Sequence, residues 1–243
     1  MYMHPAVITF LKAVPCFTDL SPVELARIAA NCQPKSLSKG QLLFTEGEPC
    51  RGLYILESGR VKCYRASAEG REQVLKVFDR AGDIFCIPSA FRTGRHIVTA
   101  MSVDETGLYV IEREAVIRIA AEQTSIALKL VATAGEHMEA LVTLAEDLSL
   151  KTATARLAKY LCEVAVAEGL RNGKHIRLHR KSVREERLAS MLGTIRVHVS
   201  RSLKSLASAG AIRLNRRFVD IPDVTVLRRL AEGNCDPSQG SRP

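Results

Sequence analysis

The sequence lacks the features of an exported or membrane-bound protein. No apolar run is long enough to span a bilayer, and the start, MYMHPAVITFLKAVPCF, has neither a basic flank nor a long apolar core. The seven cysteines are odd in number and form no close pairs, which argues against a disulfide framework. We therefore expect a protein with reduced thiols in a cytoplasm, without a signal peptide or a membrane segment.

Signatures of common catalytic and metal sites are missing as well. The sequence contains no glycine-rich phosphate loop with a lysine, no nucleophile elbow and no metal-ligand spacing, so nothing supports an enzyme. The cysteines of the first half are too far apart in sequence to support an iron–sulfur cluster. We expect most of them to be small core residues: Cys16, Cys32, Cys50, Cys63 and Cys86.

Positive charge is abundant, and it lies in the second half of the chain. The formal net charge is +9. Residues 1–148 carry 16 Lys and Arg against 18 Asp and Glu, a balance of −2, whereas residues 149–243 carry 19 against 8, a balance of +11. This asymmetry is expected if only the second part meets phosphates, and it argues against a stand-alone ligand-binding module.

The stretch RLASMLGTIRVHVSRSLKSLASAGAI, residues 187–212, has the spacing of a helix-turn-helix. Ala189 is small where a second helix would cross, Gly193 suits the turn, and apolar Val199 would hold the second helix on the core. A plain helical hairpin would not require this ordered triplet. The stretch therefore predicts a DNA-binding motif.

Local signals predict where the two helices of this motif begin and end. Ser182 and Glu185 form a capping box that would start the first helix near Val183. Thr194 is the expected N-cap of a second helix from Ile195 to about Ser208, which Gly210 would close. The positions expected to be buried are Leu188, Leu192, Val199, Leu203 and Leu206.

The second helix carries side chains that suit contacts to DNA. Arg196 and Arg201 suit bidentate contacts to guanine, and Ser200 and Lys204 suit phosphates. Any one of these side chains alone would as readily be solvated, so the prediction depends on their clustering. The full predicted set is Thr194, Arg196, Val197, His198, Ser200, Arg201 and Lys204, with Arg216 and Arg217 beyond the helix.

Short β-type runs flank the motif. Ile212–Leu214 and Phe218–Ile221 are predicted as two strands around a turn at residues 215–217, and His175–His179 as a third strand. This arrangement predicts a winged helix with basic residues at the tip of the wing.

The sequence pattern of the first half predicts a small antiparallel β-roll. Ser21 to Glu24 form a capping box that starts a helix through about Ala30. Glycines 40, 47, 59, 70, 82 and 94 separate short alternating or β-rich runs at intervals of a strand plus a turn. These runs are Leu42–Phe44, Gly52–Leu56, Val61–Tyr64, Gln73–Val77, Val98–Val103 and Gly107–Ile111.

Helical periodicity runs from Glu112 to about Glu168. Its near-heptad stripe would pack either against a second copy in a parallel coiled coil or against its own β-roll, and we favour the dimer. The stripe consists of Ile126, Leu130, Thr133, His137, Leu141, Leu144 and Leu148. We therefore predict an α+β chain with a β-roll at 1–111, a dimerisation helix region at 112–148, a winged helix-turn-helix at 149–232 and a disordered tail at 233–243.

This order of domains resembles the CRP/FNR family of bacterial transcription regulators. The resemblance covers roughly residues 10–230. It is carried by KGQLLFTEGEPCRGLYILESGRVKCYR (39–65), AGDIF (81–85) and LASMLGTIRVHVSRSLKSLASAGAI (188–212). It implies a homodimer that binds a palindromic promoter site and contacts RNA polymerase when an effector favours the active dimer. Effector binding would then shift an existing equilibrium in the packing of the long helices.

The chain departs from cyclic-nucleotide-binding members of the family. Those members hold the ribose with a Glu and the phosphate with an Arg-Ser or Arg-Thr pair. The corresponding places hold Ile87 and His96-Ile97, although a one-residue slip would bring Arg95 into the site. We therefore do not expect cyclic AMP as the effector, since a cyclic phosphate needs a positioned cation.

A second departure lies in the second helix of the motif. Cyclic-AMP receptors and FNR proteins have a Glu at the place of Val197. A valine cannot accept from cytosine N4 but could touch a thymine methyl group, so we expect a half-site that differs from both familiar consensus sequences.

Within the family, the stretch LSLKTATARLAKYLC (148–162) and the apolar substitution of the nucleotide site look similar to the dissimilatory nitrate respiration regulators. This resemblance implies a nitric-oxide sensor that uses haem. Haem is therefore one candidate effector, with His96, His137 or Cys86 as axial ligand. The alternatives are a thiol sensor using Cys86 or Cys162, and no small ligand at all. The predicted effector pocket consists of Phe85, Cys86, Ile87, Phe91, His96, Leu130, Ala134 and His137.

Overall fold

The computed structural model describes residues 5–169, 176–179 and 183–232, and the chain divides into two units. The first unit comprises Met1–Ala66 and Val74–Leu141, and the second comprises Ser67–Gln73 and Val142–Pro243. The division falls inside one long helix, within the region 112–148 predicted from the sequence. Among the described residues, no helix is both long and apolar enough to cross a membrane. The predicted tail 233–243 lies outside the described residues.

Two four-stranded sheets form the centre of the first unit, with strand orders β1-β8-β3-β6 and β2-β7-β4-β5. The strand pairs β1–β8, β3–β8, β3–β6, β2–β7 and β4–β7 are antiparallel, which confirms the predicted β-roll. The strands are β1 (Cys32–Leu37), β2 (Leu42–Phe44), β3 (Gly52–Ser58), β4 (Val61–Ala66), β5 (Glu72–Phe78), β6 (Ile84–Phe85), β7 (Thr99–Ser102) and β8 (Thr106–Glu112).

Strand β3 shows how the core of this unit is organised. Successive side chains of a strand point to opposite faces. Leu53 and Ile55 accordingly pack into one cluster, with residues of the flanking helices, while Tyr54 and Leu56 pack into a second cluster between the sheets. Both faces of β3 are therefore buried, and the second cluster is the interior of the β-roll.

Two strands were not predicted. β1 contains Pro34 and is largely exposed, because it lies at the edge of its sheet, where a proline is tolerated. β6 has two residues and is too short to show alternation. The other six strands lie within a few residues of their predicted limits, and the six separating glycines all have positive φ angles.

Four helices accompany the sheets: α1 (Pro5–Ala13), α2 (Pro22–Ala29), α3 (Arg113–Glu122) and α4 (Thr124–Leu150). A 3₁₀ turn at Pro15–Phe17 follows α1. The predicted capping box of α2 is present, because Ser21 Oγ accepts from the backbone of Glu24 and the Glu24 carboxylate accepts from the backbone of Ser21. The helical region predicted from Glu112 to Glu168 is real but is interrupted at Gln123 and at residues 151–152.

The prediction that the apolar stripe of α4 forms a dimer seam is wrong for the first half of the stripe. Ile126 and Leu130 are buried in the helical core cluster of their own unit, and Ala134 packs against the same cluster. Thr133 and His137 line a cleft of this unit instead of lying at a seam. Leu141 of the predicted stripe is exposed, and so is Leu150 at the end of α4. Four further exposed apolar side chains lie on a neighbouring face of the helix: Leu128, Val131, Met138 and Val142.

The second unit contains α5 (Ala153–Gly169), α6 (Glu185–Leu192), α7 (Arg196–Ser208) and α8 (Val224–Ala231). Its three-stranded antiparallel sheet has the order β10-β11-β9, with β9 at Ile176–His179, β10 at Arg213–Leu214 and β11 at Phe218–Ile221. This is the predicted winged arrangement, except that His175 lies outside the described residues and Ile212 precedes its strand. α8 was not predicted, although Asp223 provides an N-cap by accepting from the Thr225 amide at 2.8 Å.

The predicted helix starts in the motif need correction. α6 begins at Glu185 after Arg184, which makes no side-chain cap, rather than near Val183. Ser182 of the predicted capping box lies outside the described residues. Thr194 does not cap α7: Ile195 holds the N-cap position, and Thr194 is buried, with its Oγ1 3.3 Å from Nδ1 of His198. Gly210 closes α7 as predicted, with a φ of 71°.

Candidate functional site

Helices α6 and α7 form a helix-turn-helix around Gly193. Gly193 has a φ of 61°, a conformation that side chains with a Cβ rarely adopt. The amide of Thr194 donates to the carbonyl of Ala189 at 3.0 Å and closes the turn. Val199, Leu203 and Leu206 are buried in the core of the second unit, together with Leu188 and Leu192 of α6, as predicted. The opposite face of α7 is left to solvent.

The solvent face of α7 carries most of the predicted DNA contacts. Arg196, Val197, His198, Arg201 and Lys204 are exposed, while Ser200 is half-buried and Thr194 is buried. Thr194 therefore contributes to the turn rather than to the exposed face. Ile195 was not predicted, yet it is exposed next to Val197, so the start of α7 presents two apolar side chains beside its cations.

The wing is held by a buried carboxylate that sequence reasoning missed. Asp220 on β11 accepts from Arg177 Nε at 2.6 Å and from Asn215 Nδ2 at 2.7 Å. These bonds connect β11 to β9 and to the wing turn. Arg216 and Arg217 are exposed in that turn, as predicted for the tip of a wing. A charged residue between Val219 and Ile221 is expected on the solvent face of β11, so nothing in FVDIPD indicates that Asp220 is buried.

In the first unit, the segment between β6 and β7 corresponds to the predicted effector region. Cys86 has a φ of 71°, the one positive φ among described residues other than glycine. Ile87 is buried, and a short π-helical turn follows at Ser89–Thr93. The guanidinium of Arg95 donates to the carbonyl of Gly47 at 2.8 Å, and its residue is exposed. The next side chain, His96, is the one that points into the β-roll.

His96 is enclosed by aromatic rings. It is 2% exposed and stacks on Phe44 with ring centroids 3.5 Å apart, while Tyr54 lies 6.3 Å away. Its Nδ1 is 3.8 Å from Sγ of Cys86, and its Nε2 is buried without a hydrogen-bond partner among the described residues. Burial lowers the pKa of His96 to about 4, so the ring is neutral at pH 7.

The eight residues of the predicted effector pocket do not form one cavity. Phe85 lies in the interior cluster between the sheets, where Phe44 and Tyr54 enclose His96, and Cys86 contacts both this cluster and the helical one. Ile87, Leu130 and Ala134 contact the helical cluster, and Phe91 is exposed. The apolar residues after β6 do not share one lining, because the chain turns at Cys86 and neighbouring side chains pack into different cores.

His137 faces a cleft of its own, between the β5–β6 turn and α4. The cleft has a volume of about 560 Å³. Its lining includes both cations and anions: Lys76, Asp79, Arg80, Asp83, Lys129 and Glu136. Burial, and then the nearby Lys76, lower the pKa of His137 to about 4. This polar lining suits a charged ligand better than a flat apolar one.

The two thiols proposed as redox sensors are not activated. Burial raises the pKa of the Cys86 thiol well above its usual value and raises that of Cys162 as well. The thiolate is the reactive form, so both side chains remain protonated at neutral pH. Among the described residues, no group of three or more His, Cys, Asp or Glu side chains could hold a metal ion.

The buried His96 predicts a pH-dependent stability. Its pKa is about 4 in the folded chain and about 6.5 in the unfolded one, so the unfolded chain binds more protons between these values. Stability is therefore complete above pH 6.5 and is lost as the pH falls toward 4. We expect the free energy of unfolding to fall by about 2 kcal/mol from His96 between pH 7.5 and 5.

Urea unfolding of the wild type and His96→Leu at both pH values measures this contribution. The variant should show a drop about 2 kcal/mol smaller than the wild type. Equal drops in the two proteins would mean that His96 titrates normally.

Comparisons with known proteins agree with this architecture. Residues 34–123 match the family model of the cyclic nucleotide-binding domain, and residues 155–230 match that of the Crp-like helix-turn-helix domain. The two matched domains follow one another in the order predicted from the sequence.

Two relatives are similar to this chain over most of its length. A CRP-like cAMP-activated global transcriptional regulator of Mycobacterium tuberculosis is 29% identical over 88% of this chain and 95% of its own length. The fumarate and nitrate reduction regulatory protein of Escherichia coli is 24% identical over 81% of this chain and 78% of its own.

A solved structure shows the same fold. A transcriptional regulator of the CRP/FNR family from Eubacterium rectale has a TM-score of 0.73 at 24% identity, covering 90% of this chain and 98% of that one. The Mycobacterium tuberculosis relative is named as a transcriptional regulator, and the second matched domain family is a helix-turn-helix. The chain is therefore similar, over both matched domains, to the CRP/FNR family of DNA-binding transcription regulators.

Proposed function

We propose that the protein is a homodimer that reads a palindromic promoter site with α7 of each copy. The observation that carries this proposal is the exposed face of α7, where Arg196, Val197 and Arg201 lie together above a buried apolar stripe. Arg196 and Arg201 would contact guanines and Val197 a thymine methyl group. Ser200, Lys204 and the wing residues Arg216 and Arg217 would contact the backbone.

The homodimer is supported by the exposed apolar stripe of α4. Leu128, Val131, Met138 and Val142 are each between 63% and 67% exposed. With Gly135 and Ala145 they are spaced alternately by three and four residues, which is the spacing of a coiled-coil seam. A second copy of α4 is the occupant that fits this stripe, because two copies would also present two α7 helices to a two-fold site. The family resemblance extends the proposal to contact with RNA polymerase.

We further propose that the effector is not cyclic AMP. The cyclic phosphate would need a cation inside the β-roll, but Arg95 is bonded to Gly47 and exposed, and the inward position belongs to neutral His96. Ile87 stands where a ribose-binding carboxylate would be required, and it is buried among apolar side chains. The cAMP activation named for the Mycobacterium tuberculosis relative is therefore not extended to this chain.

Binding to a palindrome obtained by in vitro selection, with and without cyclic AMP, tests this proposal. We expect the dissociation constant to change by less than about twofold at millimolar cyclic AMP, because the required cation is missing. Isothermal titration of the nucleotide into the protein is the independent measurement. A tenfold increase in DNA affinity with saturable nucleotide binding would contradict the proposal that cyclic AMP is not the effector.

The residues of this chain do not fit haem. His96 reaches no ligand unless Phe44 and Tyr54 move apart, and His137 lies in a cleft whose lining includes six charged side chains. The thiol alternative also loses support, since both candidate thiols have raised pKa values. The likeness to the nitrate respiration regulators stays a prediction. The charged cleft at His137 supports a small polar effector in their place.

A further inference from the structure

Arg196, the first residue of α7, contacts two carboxylates of α6. Its Nε donates to Glu185 Oε2 at 3.2 Å, and its Nη1 lies 3.1 Å from Glu186 Oε1. We propose that Glu185 and Glu186 are specificity-determining residues, which orient Arg196 for base reading and cancel its attraction to phosphates. This inference rests on the proposed contact between Arg196 and guanine.

The geometry leaves the reading end of Arg196 available. A guanidinium has five N–H donors in one plane. Glu185 accepts from Nε and Glu186 forms an ion pair with Nη1, so N–H donors of Nη1 and Nη2 remain without a hydrogen-bond partner among the described residues. Two donors there suffice for O6 and N7 of one guanine. The side chain of Arg196 is 67% exposed, so this end faces solvent.

The positions of the two carboxylates are fixed by α6 itself. Both lie in its first turn, where the helix dipole stabilises negative charge. The side chain of Glu185 is 24% exposed, so its freedom is already restricted. An arginine held in this way loses less rotamer freedom on meeting a base than a free one does.

The charge of the cluster also matters. Two carboxylates against one guanidinium give a net charge of −1, so the cluster adds nothing to sequence-independent attraction by phosphates. Arg201 and Lys204 differ, since neither has an ion-pair partner in the part of the chain that the structure describes. Helix α7 therefore carries an oriented cation at its start, Arg196, and two cations further along that make no ion pair among the described residues, Arg201 and Lys204.

The test compares wild type with Glu185→Gln/Glu186→Gln on three duplexes. These are the selected palindrome, the palindrome with the guanine opposite Arg196 replaced, and an unrelated sequence, each at several salt concentrations. We expect tighter binding to the unrelated duplex and a salt dependence steeper by about 0.9 per protomer, because each freed Arg196 can bind a phosphate. Discrimination for the guanine should fall about tenfold.

Two controls accompany this comparison. Glu69→Gln/Glu232→Gln makes the same change in net charge at exposed positions outside the helix-turn-helix, and it should alter neither discrimination nor salt slope. In an Arg196→Ala background, the two glutamine substitutions should no longer affect discrimination. Thermal unfolding of each variant verifies that the fold is retained.

The outcomes separate this inference from the proposed function. If Arg196→Ala leaves the preference for guanine intact, the base-reading role of Arg196 fails and this inference with it. If Arg196→Ala loses the preference while the glutamine variant keeps both preference and salt slope, only the role of the carboxylates is overturned. Equal strengthening on all three duplexes also overturns it, because the carboxylates would then only restrain Arg196.

Discussion

Val131→Glu/Met138→Glu should convert the protein to a monomer and weaken its binding to a palindromic site by at least about a hundredfold. Both side chains lie at the centre of the exposed stripe of α4, at 67% and 66% exposure. In a parallel pair of helices, four carboxylates would meet along the seam, where charge is strongly disfavoured. A monomer binds one half-site and loses the gain from linked binding, which reaches 10²–10⁴.

Analytical ultracentrifugation and DNA titration measure the two effects. Ala140→Glu is the matched control, since Ala140 is exposed on the side of α4 away from the stripe and alanine to glutamate preserves helix propensity. This control should remain dimeric and bind normally. A dimeric double variant would place the contact between copies on another surface.

The same helix shows how far sequence reasoning reached and where it stopped. The length and apolar period of α4 were evident, but its phase was assigned incorrectly. Two apolar faces lie side by side on this helix: Ile126 and Leu130 meet the β-roll, while Leu128 and Val131 do not. Periodicity reports that a face is apolar and not which partner covers it, so only the packed structure separates the two.

The helix-turn-helix could be predicted because its constraints are local. A small residue, a glycine in a left-handed turn and an apolar anchor occur within eleven residues, and Ala189, Gly193 and Val199 took these roles. Cap assignment failed at Thr194, whose hydroxyl is turned toward His198 rather than toward the backbone of α7. Capping residues compete for several partners, and the sequence does not tell which partner is near.

The effector region was less predictable because its residues are placed by contacts distant in sequence. Arg95 is held outside by the carbonyl of Gly47, and His96 is held inside by the ring of Phe44. Along an extended chain, shifting an alignment by one residue exchanges side chains that point inward with side chains that point outward. Motif alignment alone therefore does not show whether a cation points into the β-roll. The paired positions of Arg95 and His96 resolve it.

The junction between α4 and α5 provides the second large expected effect. Nη1 of Arg156 donates to the carbonyls of Lys151 at 2.8 Å, Asp147 at 3.3 Å and Leu148 at 3.4 Å. These carbonyls belong to the last turn of α4 and the residue after it, where a helix leaves acceptors unsatisfied. One guanidinium from α5 thus caps the C-terminus of α4, within the stretch 148–162.

Arg156→Met should lower the free energy of unfolding of the second unit by about 2 kcal/mol, because half-buried carbonyls lose a charged donor. Methionine keeps the length of the apolar stem, so the loss reports the hydrogen bonds more than the packing. Arg156→Lys should recover part of the stability, since an ammonium supplies the charge but not the planar fork. Urea unfolding followed by circular dichroism measures all three proteins. A change below about 0.5 kcal/mol in Arg156→Met would show that water replaces the guanidinium at these carbonyls and that the α4–α5 junction is held by its apolar contacts alone.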